Sequence, residues 1–597
     1  MPLCTIDDFE REVLIFDSDP SHSYLESSTY LQAYSPESSK YGIFVFYQGD
    51  VDGVCALFIL EHHKRISNGL KLTSYPVVGE ADIYTYIKKN LSIRSTYPDI
   101  KHEAYLRVLL LGVHGWDAQV LYAIKVHFSQ LLPEEYRNDL RVCIVPAARP
   151  LSFFNVSFEG DWYFFVANEQ EVTQEKSILE RELVGGIYRS PSVASIIASI
   201  TKTTHESSRA AILYASAVAV ISLLIHYGAV DTSANKKITK IFQEIAMLNG
   251  GPYVQLDAER SMLPLISFTS LEEALRISPH FFIYDPQRKK DTLAEFRIYC
   301  NLLMEEFTSE FCNIDPKRQS QVLRQLNGRL KKIERSQLLW LRRSCTMPSV
   351  DMIYILLAIS VGWINKENIS TIDSAAVMAS DFMYNTLTDR MSQDSFYDKV
   401  IIPQLKNKAL QLMVGTYDMV SSSQIKSRMF GSHKVLFTTL YPKHQVTHND
   451  ELCFIAYLVS NIYSRGDREG GLCHVLVFIK NSDANGILAY GYSPEVSGNF
   501  PDIWALVFSS ISHDDPSFVY DIFRPTCLSI RSDDFASVKN KISERLRIAL
   551  ESKQFSYFND LESDTEEEAS FSATDEDEDE EEDDDEYEEE EEEEDVQ

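Results

Sequence analysis

Short unbroken apolar runs alternate with helix-length patterns through the first 230 residues, and that alternation constrains the fold of this chain more than any other feature. The runs are GIFVFY, TSYPVVG, YLRVLLLGV and LRVCIVP, with WYFFVA as a fifth candidate. Between them, VCALFILEHHKRI, ADIYTYIKKNL and AQVLYAIKVHFSQLL carry helical spacing. A strand buried on both faces shows no polar alternation, and strands separated by whole helices pair in parallel through crossovers. The pattern predicts an α/β domain with a mainly parallel sheet over residues 41–230. Residues 1–40 are expected to form an N-terminal helix, Ile6 to Phe16, and a loop.

At 597 residues the chain is too long for one domain-sized core. Residues 231–429 turn helical, with TLAEFRIYCNLLMEEF, SQVLRQLNGRLKKIERSQLLWLRR and VDMIYILLAISVGWI as examples. Strand patterns return over residues 430–553 in KVLFTTLYP, CHVLVFIK, GILAYGY and PTCLSIR, interleaved with DELCFIAYLVSNIY and DFASVKNKISERLRIALE. A second, smaller α/β or α+β domain is expected there. Residues 554–597 read as a disordered acidic tail, because Asp and Glu supply no apolar surface to offset chain entropy. From Leu561 to the end there are 25 Asp/Glu and no Lys or Arg; they account for 25 of the net −33, which leaves −8 on the rest. Whole-chain attraction to nucleic-acid phosphates is thereby disfavoured, while a local basic surface is not.

Several function classes are set aside by pattern. The nine cysteines are widely spaced and contain no C-x-x-C, which fits a reducing compartment and gives no zinc signature. No Walker loop and no G-x-S-x-G elbow occurs. The segment MPLCTIDDFEREVLIF lacks the basic and apolar regions of a signal peptide. Ala210–Tyr227 is 18 residues without a formal charge, the lower limit of a membrane span. Its many alanines suit a helix packed against a sheet, and the expectation is a buried core helix with no membrane contact.

Asp50 and Asp52, in GIFVFYQGDVDGVCALFIL, fall just past a buried strand and before a helix. Sites in open α/β sheets form outside the carboxyl ends of strands, and two carboxylates there can reach a hard divalent cation. The same residues also read as helix-capping acids. Glu61-His62-His63 is expected on an exposed helical face. His444, His448 and Asp450 have the spacing of a metal clip, but a loop or helix cap is the favoured reading. A basic segment holds Lys317, Arg318, Arg324, Arg329, Lys331, Lys332, Arg335, Arg342 and Arg343, with Trp340 interleaved. Read as one helix, it could follow a phosphate backbone with the indole stacking on a base, or dock an acidic partner.

GDVDGVCALFIL resembles the first motif of DHH-family phosphoesterases, and more closely the D-V-D-x-x-C-A segment of the cell division control protein 45 family. In the same order follow LLLGVHGWDAQVL, VCIVPAARPLSFFNV with Arg149, Pro150, Asn155 and Val156 kept, and GGIYRSPSVASIIASI. SHKVLFTTLYPKHQVTHNDELCFIAYLVSNI and RPTCLSIRSDDFASVKNKI resemble that family's terminal domain. The resemblance spans about Thr5 to Glu551, loosely in the middle. It implies a degenerate DHH domain, a helical middle region and a DHHA1-like C-terminal domain.

Active DHH enzymes hold two manganese ions on carboxylates and histidines, and hydrolyse phosphodiesters with a metal-activated water. Where the family's third segment reads D-x-H-R-P, this chain has Pro146-Ala147-Ala148-Arg149-Pro150, so the Asp and His positions are Pro146 and Ala148. Leu111-Gly112 also lacks the expected carboxylate, with His114 nearby. The resemblance therefore implies a pseudo-enzyme without metal or cofactor, in which Asp50 and Asp52 are vestiges of the metal site. It further implies a nuclear DNA-replication factor, a scaffold joining the MCM ring and the GINS complex, with contacts to single-stranded DNA and DNA polymerases. The competing reading is a RecJ-like single-strand exonuclease. The acidic insertion usual in the family after the R-P segment is short here, and the acidic run is C-terminal instead.

Overall fold

In a computed structural model, the structure describes residues 3–4, 42–63, 71–96, 105–112, 118–145, 163–166, 192–201, 206–227, 254–257, 263–278, 289–329, 337–341, 346–361, 372–387, 400–430, 433–442, 446, 449–463, 473–480, 486–493, 503–515, 517–520, 526–531 and 535–551. The readings for Ile6–Phe16, His114, Pro146 to Pro150, Lys331, Lys332, Arg335, Arg342, Arg343, His444, His448 and the acidic tail lie outside the described residues. Residues 1–550 form one compact unit.

The first sheet contains β1 (Leu3–Cys4), β2 (Gly42–Gln48), β3 (Leu72–Val77), β4 (Tyr105–Leu111), β5 (Arg141–Val145) and β6 (Tyr163–Val166), in the order β1-β6-β5-β4-β2-β3. Every pairing in it is parallel. The N-terminal segment thus contributes a short edge strand, Leu3–Cys4, that the sequence pattern does not predict. Side chains alternate across the sheet as period-2 geometry requires. Phe44, Phe46, Val108, Leu110, Val142 and Ile144 pack on one face against α2 (Glu80–Thr96) and α3 (Ala118–Ser129). Ile43, Val45, Tyr47, Leu109, Cys143 and Val145 face α1 (Val51–Glu61), α4 (Val193–Ile200) and α5 (Glu206–Tyr227). Helices on both faces explain why these strands are apolar throughout. The chain runs from β2 to β3, then returns to place β4 on the other side of β2. The carboxyl end of β2 is therefore the point where the winding reverses, the usual place for a site.

The middle region is mostly helical: α6 (Leu271–Ile277), α7 (Lys289–Tyr299), α8 (Met304–Thr308), α9 (Pro316–Arg329), α10 (Ser349–Ser360), α11 (Ile372–Leu387) and α12 (Ile402–Ser422). It also holds a small antiparallel sheet, β7 (Val254–Asp257), β8 (Gln337–Leu341) and β9 (Thr346–Pro348). This corrects the single helix expected over the basic segment. The described helix spans Pro316–Arg329, and Gln337–Leu341 is extended, which matches the apolar run QLLWL better than a helix does.

The second large sheet orders β10 (Lys426–Phe430), β11 (His433–Leu440), β12 (Cys473–Lys480), β13 (Ile487–Tyr492), β15 (Cys527–Ile530) and β14 (Phe518–Tyr520) as β10-β11-β12-β13-β15-β14. Only β11 and β12 pair in parallel, joined through α13 (Asn449–Tyr463); the other pairings are antiparallel. Helices α14 (Ile503–Asp514) and α15 (Phe535–Glu551) complete this part.

One continuous core runs from β2 through α1, α5, α10, α12 and α13 to Leu436, Val475 and Val477 of the second sheet. Helix α5 lies inside it: every residue from Ala210 to Ile221 is buried, and the Tyr214 hydroxyl donates to the Met347 carbonyl at 2.8 Å. Among the described residues no helix is long and apolar enough to cross a membrane.

Candidate functional site

The strand-to-helix turn after β2 sets the site. Gln48 and Gly49 leave the sheet, and Asp50 takes an extended conformation (φ −95°, ψ 177°) as N-cap of α1. Its Oδ1 accepts from the Gly53 backbone N–H at 2.8 Å. Gly53 is required by close approach: a Cβ there would lie 2.0 Å from the Gln48 carbonyl oxygen.

Asp52 sits in the first turn of α1 but serves a different helix. Ser192 Oγ donates to its Oδ1 at 2.7 Å, the Ala194 N–H to the same oxygen at 3.0 Å, and the Val193 N–H to Oδ2 at 2.9 Å. Ser192, the N-cap of α4, accepts the Ser195 N–H at 3.2 Å, and the Asp52 carboxylate completes that cap from 140 residues away. It is 5% exposed. Burial pushes its pKa up; the Ala194, Ser192 and Val193 donors pull it down, and the nearby negative charge of Asp450 adds to the rise.

Asp450 comes from the first turn of α13. Its Oδ2 accepts the Val51 N–H at 3.1 Å, linking the second sheet's first helix to the N-terminus of α1. Two helix N-termini, of α1 and α4, therefore converge here, and three carboxylates answer their exposed N–H groups. The spacing of His444, His448 and Asp450 concealed this contact. Asp450 fits the cap reading, but the helix it serves is not its own.

Beside this cluster, Gly112 follows β4 with φ +73° and donates to the Val145 carbonyl at 2.9 Å. A Cβ at Gly112 would make ordinary contacts, 3.4 Å to Val193 Cγ2 and 3.5 Å to Gln48 Cβ; it is the positive φ that disfavours a side chain at this position. Cys55, one turn into α1, is buried, and its thiol is pushed well up by burial and by the charges of Asp52 and Asp50.

This donor set does not fit the manganese pair that DHH enzymes carry. Both Asp52 oxygens are already held by N–H and O–H donors, Asp50 Oδ1 caps its own helix, and two positive helix ends face where a cation would sit. Among the described residues no group of three or more His, Cys, Asp and Glu could hold a metal ion.

Glu61-His62-His63 is not an exposed face, which corrects that expectation. Every α1 residue from Val51 to Leu60 is buried, because the helix lies between the sheet and α4, α5 and α11, leaving it no solvent side. His63 is 2% exposed, and His62 Nδ1 is 2.8 Å from the Phe58 carbonyl. Burial, then the charge of Asp381, pushes the Glu61 carboxyl up from 4.5 to about 7. The folded protein therefore binds a proton that the unfolded chain releases between those values. Stability from this group is greatest below 4.5 and is lost as pH rises to about 7. The Glu61→Gln variant should melt higher than wild type above neutrality and show a flatter pH dependence across that window. Parallel melting curves for the two proteins would disprove the assignment.

The basic segment is divided among elements. Lys317 and Arg324 are exposed on α9, while Leu323 and Leu326 face inward as their spacing predicts. Arg318 pairs with Glu306 at 3.6 Å and donates to Gln321 Oε1 at 3.0 Å and to the Asn301 carbonyl. Arg329 is the last described residue of α9, and Trp340 belongs to β8.

The doubly wound parallel sheet, the acids at its reversal point and the second mixed sheet define a two-sheet α/β protein. More particularly, the fold is CDC45-like. CDC45 from Entamoeba histolytica superposes with a TM-score of 0.59 at 13% identity, over 87% of this chain and 97% of that one. RecJ from Thermus thermophilus in complex with manganese aligns with a TM-score of 0.37 at 9% identity, over 86% of this chain and 53% of that one. A second structure of the exonuclease RecJ bound to manganese aligns with a TM-score of 0.37 at 10% identity, over 86% of this chain and 92% of that one. No family model matches the sequence, and no curated protein matches it.

Proposed function

We propose that the protein is a nuclear, non-catalytic DNA-replication factor that acts as a scaffold of the replicative helicase, joining the MCM ring to the GINS complex. Contacts to single-stranded DNA and to DNA polymerases belong to the same reading. The observation that carries the non-catalytic part is Asp52: the carboxylate best placed to hold a metal is committed to capping α4. The partners follow from the order of motifs shared with the cell division control protein 45 family. A scaffold also needs apolar surface for docking. Ile298 (69% exposed), Tyr299, Leu303 (68%) and Met304 supply it around the break between α7 and α8.

Purified protein with manganese is expected to leave single-stranded DNA and small phosphodiesters intact. Turnover that disappears in the Asp50→Ala, Asp52→Ala double variant would overturn the reading and favour the RecJ-like exonuclease. For the scaffold itself, tagged protein recovered from replicating cells should carry MCM and GINS subunits. Ile298→Asp with Leu303→Asp should deplete at least one of them while leaving the melting temperature unchanged.

A further inference from the structure

A cavity of about 690 Å³ opens between the last turns of α12, the edge strand β10 and its neighbour β11, and the start of α15. It lies away from the acid cluster described above. Lys426 on β10 is directly opposite Phe437 on β11, so the two side chains leave the same face of the sheet. Lys539 comes down on that face from α15, its Nζ 5.5 Å from the Phe437 ring centroid. The Lys426 side chain and the Lys539 ammonium group therefore share the face of the sheet that carries this ring. Partial burial, then the charge of Lys426, holds the Lys539 pKa below its ordinary value, as expected of crowded like charges. Among the described residues no carboxylate lies within ion-pairing distance of either lysine, while Asp418, which also lines the cavity, is paired at 3.4 Å with Arg276.

The remaining walls suit an anion with an organic part. Helix α12 points its C-terminal carbonyls toward this region, which would repel negative charge. Three of those carbonyls are already covered: Ser421, Ser422 and Ser423 donate their hydroxyls to Asp418, Met419 and Val420 at 3.2, 3.1 and 2.7 Å. Thr439 lines the cavity two residues beyond Phe437 on the same face, and Tyr441, 69% exposed, adds an aromatic ring to its wall. A concave site with two lysines that no described carboxylate pairs, hydroxyl groups and an accessible ring has the parts needed for a phosphate carrying a planar base.

We propose that this cavity binds a phosphate-bearing ligand, a free nucleotide or the end of a single nucleic-acid strand, with the phosphate between the Lys426 and Lys539 ammonium groups. The proposal does not rest on the protein partners of the scaffold reading; its strand-end outcome would deepen the single-stranded DNA contact of that reading, while a free-nucleotide outcome would stand apart from it.

Titration calorimetry of the full chain at low salt with pyrophosphate, ATP without metal, and a short oligothymidylate with or without a 5′ phosphate tests it. Pyrophosphate and ATP should both bind, and Lys426→Gln with Lys539→Gln should weaken them by about tenfold or more and flatten the salt dependence. Tyr441→Ala should weaken ATP and spare pyrophosphate. Tighter binding of the phosphorylated oligonucleotide than of ATP assigns the site to a strand end; the reverse assigns it to a free nucleotide. If the double variant melts lower than wild type, Lys426→Gln alone replaces it, since that side chain is exposed. The proposal is overturned if no probe binds at millimolar concentration, if the lysine variants bind as wild type does, or if an oligoglutamate binds more tightly than pyrophosphate.

Discussion

Asp52→Ala is expected to destabilise the protein by roughly 3–4 kcal/mol, a large effect for one side chain. The substitution leaves the Ser192 hydroxyl and the Val193 and Ala194 N–H groups without their acceptor in a site Asp52 itself shields from water. Each unsatisfied buried donor costs about 1–3 kcal/mol, and the three share one site, so the costs do not simply add. Relief of burying a charge offsets part of the loss. Urea unfolding at neutral pH measures the difference. A change below about 1 kcal/mol would show that Asp52 is not the structural cap of α4 and would return it to consideration as a ligand.

Gly53→Ala is expected to destabilise by about 3 kcal/mol or more, although alanine in place of glycine inside a helix ordinarily stabilises by roughly 0.5–1 kcal/mol. The sign reverses because the added methyl would stand 2.0 Å from the Gln48 carbonyl oxygen, which is backbone and cannot swing away. Relief would require the turn between β2 and α1 to open, and that would carry Asp50 and Asp52 off their N–H partners. Thermal unfolding decides the matter: a variant as stable as wild type would mean that the turn relaxes freely.

These two residues show what kind of information the chain carries locally. That Asp50 caps α1 is legible from its place after an apolar run and before VCALFIL, since a cap and the N–H it satisfies lie three residues apart. The strands of the first sheet are legible for the same reason: burial on both faces writes itself into consecutive residues. Where local pattern is ambiguous, it misleads. QLLWL continues a helix-like stretch of Leu and Arg, yet pairing with β7 and β9 draws it into a sheet. Glu61-His62-His63 resembles a solvent face because three polar residues follow an apolar run; neighbours from α11, more than 300 residues on, cover it.

By itself the sequence determined the strands and helices of a mainly parallel first sheet, the return of strands in a second, smaller part, and the placement of two acids at the end of β2, because strand and helix periodicity and helix capping act over a few residues; the strand order of each sheet came from the tertiary structure. Only the tertiary structure decided what those acids do. Asp52 meets Ser192, Val193 and Ala194 across 140 and more residues, and Val51 meets Asp450 across 399. No local propensity records such contacts; they exist because the packed core brings the starts of α1, α4 and α13 to one place, where buried N–H groups require acceptors. The same packing sets Gln48 and Val193 beside Gly112, and so turns the reversal point of the sheet into a joint between helices.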